Sequence, residues 1–206
     1  LAKLPDNLLE KVTWIDSLPE NLITGVILGN EVLDAMPCRR FRIQDEEIYE
    51  IGISCTNQRL IEQDKLADEI IKDSVHKIEK ELNRKFANGF ISEIRPDYKH
   101  WFTTLSSSLV YGAIIFIDYG CSRGEYYSAD RSTGTLVCHY QNTAHYDPLF
   151  LPGVQDLSAW VDFSLVADVG LKHGFKVESY TSHRDFLLSA GILKLVDQIS
   201  DQNNRF

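Results

Sequence analysis

The chain has 206 residues, 44% of them hydrophobic, and its 30 acidic residues outnumber 21 basic ones, giving a formal net charge of −9. This length and composition fit one folded domain with a sizeable core and exclude a disordered chain. The basic residues are scattered, so we expect no nucleic acid partner. The acidic surface instead favours a basic partner, such as an arginine-bearing segment of another protein. No apolar run approaches the ~20 residues that cross a bilayer, so no membrane span is predicted.

Cysteine and histidine spacing argues against disulfides and against a metal. No C-x-x-C pair occurs among the cysteines, so reduced thiols are expected. His139 and His145 are six residues apart and no H-x-H or H-x-x-x-H pair occurs, so no metal site is predicted. The four cysteines are Cys38, Cys55, Cys121 and Cys138.

Residues 4–14 suggest a short helix or turn followed by a brief strand. The apolar run that starts at Gly25 reads as a buried strand, and it stops abruptly at Asn30, Glu31 and Asp34. Ligands bind at the carboxyl ends of strands in open α/β sheets, so these polar side chains lie where a site is expected. The alternative is that Asn30 and Asp34 only cap a following turn.

Residues 41–56 predict a β-hairpin that turns near 44–47. Apolar residues at three- and four-residue steps over 60–86 predict a helix, with Gly89 just beyond its end. Residues 89–94 are expected to be extended, and 96–109 to be helical. The run from Gly112 to Gly120 predicts a second strand that ends at Asp118, so the two runs together predict a shared acidic edge.

The segment 121–152 is longer than a simple connection, and it is either a functional cover or disordered. Asp156 is the predicted N-cap of a helix through Val169 that stops at Gly170. Residues 175–180 alternate as a strand, and 184–199 look helical with a break at Gly191.

This order of elements predicts an α/β fold, with a twisted, mainly parallel sheet flanked by helices. We expect one partial domain over residues 1–206, with an inserted hairpin and helix lobe over 38–95.

Four ordered motifs resemble the MidA family of class I S-adenosylmethionine-dependent methyltransferases. They are NEVLDAMP from Asn30, GFISEI from Gly89, IDYG from Ile117 and GVQDLSAWVDF from Gly153. The resemblance implies a Rossmann-like sheet, S-adenosylmethionine as cofactor, and methylation of an arginine-bearing segment of a partner protein, with complex I assembly as the role of mitochondrial members. It also implies a cytoplasmic location in bacteria or the mitochondrial matrix in eukaryotes.

The family begins with a strand and a Gly-rich loop that receive the cofactor, and neither precedes Gly25 here. The chain also opens at Leu1 without Met, so we expect it to be the C-terminal half of a longer protein. By itself it should bind S-adenosylmethionine weakly or not at all. A catalytically idle assembly or interaction factor with the same fold is the alternative function.

By the resemblance, Glu31 and Glu93 are the candidate acids that orient a guanidinium, with Asp118 as a third catalytic candidate. Paired hydrogen bonds from carboxylates can localise charge away from the attacking nitrogen. The alternative for Glu93 is an ion pair with Arg95 or Arg39, and for Asp118 it is loop capping.

Asp16 is the candidate acid near the adenine amino group, and Asn30 the candidate partner of the cofactor's amino-acid part. Asp34 and His145 are candidate substrate-binding residues. The alternatives are a surface Asp16, an Asn30 that bonds only its own backbone, and a His145 in an ordinary exposed loop.

Residues 120–124 match the motif G-x-S-x-G, which offers a competing hypothesis of a serine hydrolase with Ser122 as nucleophile. Asp156 follows, with His173 or His183 as the base. A nucleophile elbow requires a helix directly after the serine, and the sequence after Ser122 has little helical periodicity. Trp160 stands where the resembled family has a histidine, and it is predicted to be a core anchor on a helix.

Overall fold

The structure is a computed structural model that describes residues 5–18 and 23–203. The longer strands are β1 (Ile23–Asn30), β2 (Arg39–Gln44), β3 (Glu47–Thr56), β4 (Arg59–Leu66), β5 (Ile91–Ile94) and β6 (Leu109–Ile117). The shorter strands are β7 (Gly120–Cys121), β8 (Val137–Tyr140), β9 (Thr143–His145), β10 (Asp156–Ser158) and β11 (Val161–Asp162). The helices are α1 (Asp6–Leu9), α2 (Glu69–Glu81), α3 (Tyr98–Ser108), α4 (Arg123–Tyr126), α5 (Phe163–Lys172), α6 (His183–Ser189) and α7 (Ile192–Asn203).

β1 and β6 pair in parallel, from Ile23 opposite Leu109 to Asn30 opposite Ile117. This confirms the two predicted strands and places their carboxyl ends together. The prediction that the first strand is buried is wrong, because Val26 and Leu28 of β1 are 66 and 64% exposed. Gly112 has no room for a side chain, because an added Cβ would lie 1.8 Å from the Gly25 carbonyl oxygen. The helix predicted over 96–109 is also confirmed as α3, whose Trp101 and Phe102 pack against Phe116 of β6.

An antiparallel sheet of order β4-β3-β2-β5 lies between β1 and β6 in the chain. The predicted hairpin over 41–56 is confirmed as β2 and β3. The helix predicted over 60–86 is wrong at its start, because β4 pairs with β3 over eight residue positions and α2 begins only at Glu69. Asn57 and Gln58 both have positive φ, as a two-residue hairpin turn requires.

The segment 121–152 is ordered by β8 and β9, which join β10 in an antiparallel sheet. The helix predicted from Asp156 is wrong, because Asp156 lies in β10. Asp162 is the actual N-cap, and its carboxylate accepts a hydrogen bond from the Leu165 backbone N–H at 3.1 Å. Gly170 lies inside α5, which ends at Lys172.

Near the C-terminus, the helix predicted over 184–199 is confirmed as α6 and α7, which break at Gly191 with φ +84°. Residues 175–180 form no strand, so their polar and apolar alternation has no partner strand within the described residues. At the other end of the chain, the short helix predicted within residues 4–14 is confirmed as α1, but no strand follows it up to residue 14.

Two clusters of buried residues form the core. The larger joins the antiparallel sheet to α2, through residues such as Phe41, Ile71 and Val75. The smaller packs α3 and α5 around Leu33 and Val161. Leu33 belongs to the turn after β1, so this second cluster fixes the position of that turn.

The fold is α/β, as predicted, although most strand pairs are antiparallel and the parallel part consists of β1 with β6 and β7 with β11. Residues 39–94 form the four-stranded sheet and α2; their description as an inserted lobe over 38–95 stays a prediction. Of the helices in the described residues, none is long and apolar enough to cross a membrane.

Candidate functional site

The structure brings Glu31, Asp34 and Asp118 together at the carboxyl ends of β1 and β6, and we call these three residues the acidic rim. The Glu31 N–H donates to the Ile117 carbonyl oxygen at 2.8 Å, which continues the strand pairing one residue past β1. Asp118 follows β6 directly and reaches across to the turn after β1. The predicted shared edge is therefore present, whatever chemical role each acid has.

Asp118 holds the turn after β1 in place. Its Oδ2 accepts hydrogen bonds from the backbone N–H groups of Val32, Leu33 and Asp34 at 3.1, 2.8 and 3.3 Å. Its Oδ1 accepts from the Tyr119 N–H at 2.9 Å. Successive N–H groups that point at one oxygen form an anion-binding concavity, and here an internal carboxylate fills it. This geometry matches the loop-capping alternative for Asp118, a positioning role.

Asp34 carries a carboxylate without an ion-pair partner among the described residues. Its Oδ1 is inaccessible to solvent and lacks a hydrogen-bond partner. Burial raises the pKa of Asp34, and the neighbouring charge of Asp118 raises it further. The charge of Arg95 lowers the pKa by a smaller amount and forms no ion pair with Asp34, so this half-buried carboxylate is still able to bind a further cation.

Glu31 is exposed and has a φ of +51°, a left-handed backbone conformation that residues other than glycine rarely adopt. Such backbone outliers concentrate at functional sites. Hydrogen bonding to the Glu31 carboxylate raises the pKa of Tyr119, whose side chain is also exposed. The pair therefore presents a carboxylate and a phenol to solvent at the rim.

Arg95 and Tyr98 complete the support of the turn, and sequence reasoning missed the role of both. Arg95 is buried and donates to the backbone carbonyl oxygens of Asp34 at 3.1 Å and Ala159 at 2.6 Å. The Tyr98 hydroxyl donates to the Leu33 carbonyl oxygen at 2.9 Å. An arginine at the end of an apolar strand was the available signal, because a buried guanidinium needs several acceptors.

A cleft of about 400 Å³ opens beside Asp34. It lies between the turn after β1, strands β2 and β3, and residues 136–159, and its lining includes Asp34, Cys38, Arg40, Ile51, Leu136 and Ala159. The cleft arginines are already paired: Arg40 with Glu62, and Arg39 with Glu50 and Asp68. The cleft thus combines apolar walls with a carboxylate, that of Asp34, that has no ion-pair partner among the described residues.

Glu93 lies away from solvent, with 1% of its surface exposed. Its carboxylate accepts hydrogen bonds from the Thr135 N–H, the Leu136 N–H and the Tyr126 hydroxyl. Neither Arg95 nor Arg39 pairs with it, so the ion-pair alternative is wrong. Glu93 secures residues 134–136, and a solvent-borne substrate does not reach it in this conformation.

The geometry does not support the hydrolase reading. A four-residue helix does follow Ser122, contrary to the prediction from periodicity. Ser122 nevertheless has no histidine partner in the described part of the chain: His173 bonds Thr103 and the Val169 carbonyl oxygen, and His183 is the exposed first residue of α6. Asp156 pairs in β10 with His139.

The remaining candidates do not line the cleft. Asn30 is the exposed last residue of β1, and Asp16 lies in an exposed bend. His145 ends β9, where its ring packs edge-on against Phe150, and it does not line the cleft. The predicted core role of Trp160 is wrong, because it lies between β10 and β11, 36% exposed, with the Arg131 guanidinium 4.6 Å from its ring centroid.

Residues 1–181 match the model of the Methyltransf_28 family, which is a family of S-adenosyl-L-methionine-dependent methyltransferases. The chain belongs to this family. The fold is similar to a COG1565 superfamily member from Burkholderia thailandensis in complex with S-adenosyl-homocysteine, at 35% identity and a TM-score of 0.86. The match covers 97% of this chain and 50% of that one.

A second crystal structure, of a COG1565 superfamily protein from the same organism, gives a TM-score of 0.87 at 35% identity. The match covers 99% of this chain and 53% of that protein. The chain therefore spans about half the length of the solved relatives it matches. No curated protein matches the chain.

The family's cofactor is S-adenosylmethionine, and the end of β1 offers two polar side chains of a kind that can bond it. The exposed Asn30 amide can both donate and accept hydrogen bonds at the carboxyl end of β1, and the exposed Glu31 carboxylate can face a cation. No Gly-rich loop follows a strand within residues 23–203. The same described residues contain no group of three or more His, Cys, Asp or Glu side chains placed to hold a metal ion.

Proposed function

We propose that this chain forms the acceptor side of a MidA-type methyltransferase that transfers a methyl group from S-adenosylmethionine to an arginine side chain of another protein. The observation that carries the proposal is the Asp34 carboxylate, which has no ion-pair partner among the described residues and lines a cleft in a methyltransferase-family fold. We assign substrate binding to Asp34 and the catalytic role to Glu31. Asp118 positions both.

The shape and charge of the cleft suit an arginine side chain. Its apolar walls, Ile51 and Leu136 among them, can cover the aliphatic stem while the Asp34 carboxylate takes the guanidinium. Since Arg39 and Arg40 are already paired, they leave the negative charge of Asp34 uncancelled. The net charge of −9 also favours approach of a basic segment.

When bound, S-adenosylmethionine supplies an electrophilic methyl group on a sulfonium. A guanidinium is a weak nucleophile, so the protein must orient one nitrogen and draw positive charge to the others. Glu31 and Asp34 are three positions apart around one turn, and that turn is fixed by Asp118, Arg95 and Tyr98. A rigid pair of acids of this kind can perform both tasks.

The test uses a chimera in which this chain replaces the matching half of the Burkholderia protein. Methyl-labelled donor is supplied with a Gly-Arg repeat peptide or its Gly-Lys counterpart. We expect label in the arginine peptide alone, and we expect Glu31→Gln to lower kcat/KM by about 100-fold. Glu178→Gln, an exposed acid that pairs with Lys176, is the matched control and should transfer at the parent rate.

Each outcome is informative. Undiminished transfer by the Glu31→Gln chimera would reject the assignment of Glu31. Label in the lysine peptide would show that the acceptor side chain is lysine and not arginine. A folded chimera that binds the donor but transfers nothing to either peptide or to proteins of a cell extract would favour the idle assembly factor. The chain alone should show no micromolar donor binding in calorimetry, and such binding would contradict the division of roles proposed here.

A further inference from the structure

The parallel pair of β1 and β6 has one buried face and one exposed apolar face. On the buried side, Phe116 packs against Trp101 and Phe102 of α3. On the other side, Val26, Leu28, Tyr111 and Ile115 are 66, 64, 78 and 38% exposed. The strand register puts Leu28 directly beside Ile115, so these four side chains form one continuous surface, which we call the apolar sheet face.

Such a surface is unusual for parallel strands, which occur almost only in sheets that are covered on both faces. Each of β1 and β6 also pairs along one edge only within the described residues. An open edge presents unpaired backbone N–H and C=O groups that another strand can join. The surface thus combines apolar side chains for a covering helix with backbone groups for an added strand.

We infer that the apolar sheet face is the docking surface for one polypeptide, the counterpart of the half of the Burkholderia protein that this chain does not match. This chain aligns with about half of that protein at a TM-score of 0.86, so the matched half keeps its fold, and the other half has no match within these 206 residues. The occupant covers Val26 and Leu28 with apolar side chains and pairs with an open strand edge. The inference concerns assembly and holds whether or not methyl transfer occurs.

The experiment co-expresses the complete 206-residue chain with an affinity-tagged polypeptide that consists of the unmatched half of the Burkholderia protein. We expect the two to co-purify in equal amounts. Leu28→Asp should reduce recovery of the chain about tenfold or more, because a charge in the centre of an apolar interface is left unpaired. The matched control is Leu193→Asp on α7, where the leucine is 63% exposed, and it should leave recovery unchanged.

A second measurement guards against misfolding. Leu28 contributes little to the buried core of the free chain, so Leu28→Asp should keep the parent circular dichroism spectrum. Tyr111→Asp, at the most exposed position of the face, should reproduce the loss of recovery. Hydrogen exchange at β1 and β6 should slow when the tagged half is present.

Three results would overturn the inference. The first is that the parent chain does not co-purify with the tagged half, and the second is equal recovery of Leu28→Asp and Leu193→Asp. The third is a homodimer of the parent chain that Leu28→Asp dissociates, because the occupant would then be a second copy.

Discussion

The Asp118 carboxylate, at the end of one parallel strand, accepts a 2.8 Å hydrogen bond from the Leu33 N–H in the turn that follows the other. The same oxygen also accepts from Val32 and Asp34. One side chain thereby determines where Glu31 and Asp34 point. The rim is therefore a preorganised arrangement, and its acids differ in what they can do: Asp118 is satisfied internally, Asp34 faces the cleft, and Glu31 faces solvent.

The first prediction concerns this anchor. Asp118→Ala leaves four backbone N–H groups, those of Val32, Leu33, Asp34 and Tyr119, without their acceptor and should lower the free energy of unfolding by about 2 kcal/mol. Asp118→Asn retains a neutral acceptor and should cost about half as much. Urea denaturation measures both, with Asp147→Ala as control, because Asp147 accepts a side-chain hydrogen bond from one N–H only, that of Leu149, in an exposed loop. If Asp118→Ala costs no more than Asp147→Ala, the hydrogen bonds of Asp118 add no stability beyond that of one exposed hydrogen bond, and the prediction is wrong.

The second prediction concerns the charge of Asp34. Its pKa is raised above the ordinary 3.8 by burial and by Asp118, so the ionised carboxylate disfavours the folded state. This penalty is complete above the raised pKa and disappears as the pH falls below 3.8. Asp34→Asn should therefore raise the melting temperature by about 2 °C at pH 7 and by much less at pH 3.5.

Scanning calorimetry at the two pH values measures the difference. Asp97→Asn, a change at an exposed helix N-cap without a side-chain hydrogen bond, is the control and should shift stability little at either pH. A destabilised Asp34→Asn protein at pH 7 would contradict the account. In the chimera, Asp34→Asn should raise KM for the arginine peptide, so stability and binding should change in opposite directions.

The third prediction concerns the close contact of Gly134 with Glu93. Gly134 has a φ of +83°, and an added Cβ would lie 2.3 Å from the Glu93 Oε1. Gly134→Ala should cost about 3 kcal/mol, because it combines a left-handed conformation with displacement of a buried carboxylate. Gly153→Ala is the matched control: its φ is +82° with no atom within 4 Å, and it should cost about 1 kcal/mol. Similar costs at the two positions, measured by chemical denaturation, would mean that Glu93 shifts freely.

The fourth prediction concerns the G-x-S-x-G segment. Ser122 is the exposed N-cap residue of α4 without a side-chain capping bond, so Ser122→Ala should change the unfolding free energy by less than about 0.5 kcal/mol. The parent chain should not hydrolyse p-nitrophenyl acetate faster than the Ser122→Ala variant. Faster hydrolysis by the parent chain than by Ser122→Ala would support the serine hydrolase hypothesis and contradict this prediction.

Sequence periodicity predicted the elements that are decided locally. The run ending at Asn30, the run ending at Asp118 and the hairpin over 41–56 each carry a pattern that only one structure satisfies. Residues 59–66 do not: Leu60, Ile61 and Leu66 fit a helix as well as a strand, and pairing with β3 decides the outcome. The Asn57 turn was the available signal for a second hairpin.

The candidate site was predictable in its location but not in its division of roles. The positions of Glu31, Asp34 and Asp118 follow from strand ends. Asp118 is used internally, Glu93 is buried under residues 134–136, and Arg95 binds carbonyl oxygens. These roles depend on contacts between residues 42 to 86 positions apart. Sequence spacing carries no information about such distant partners.

The position of Asp118 couples the register of the two parallel strands to the orientation of Glu31 and Asp34, so that one cannot change without the other. A shift of β6 by one residue would withdraw the oxygen that holds Val32, Leu33 and Asp34, and the acids would swing with the released turn. A spectroscopic probe near Asp34 would therefore report on the alignment of the strands, even when the partner that disturbs them binds on the far side of the sheet.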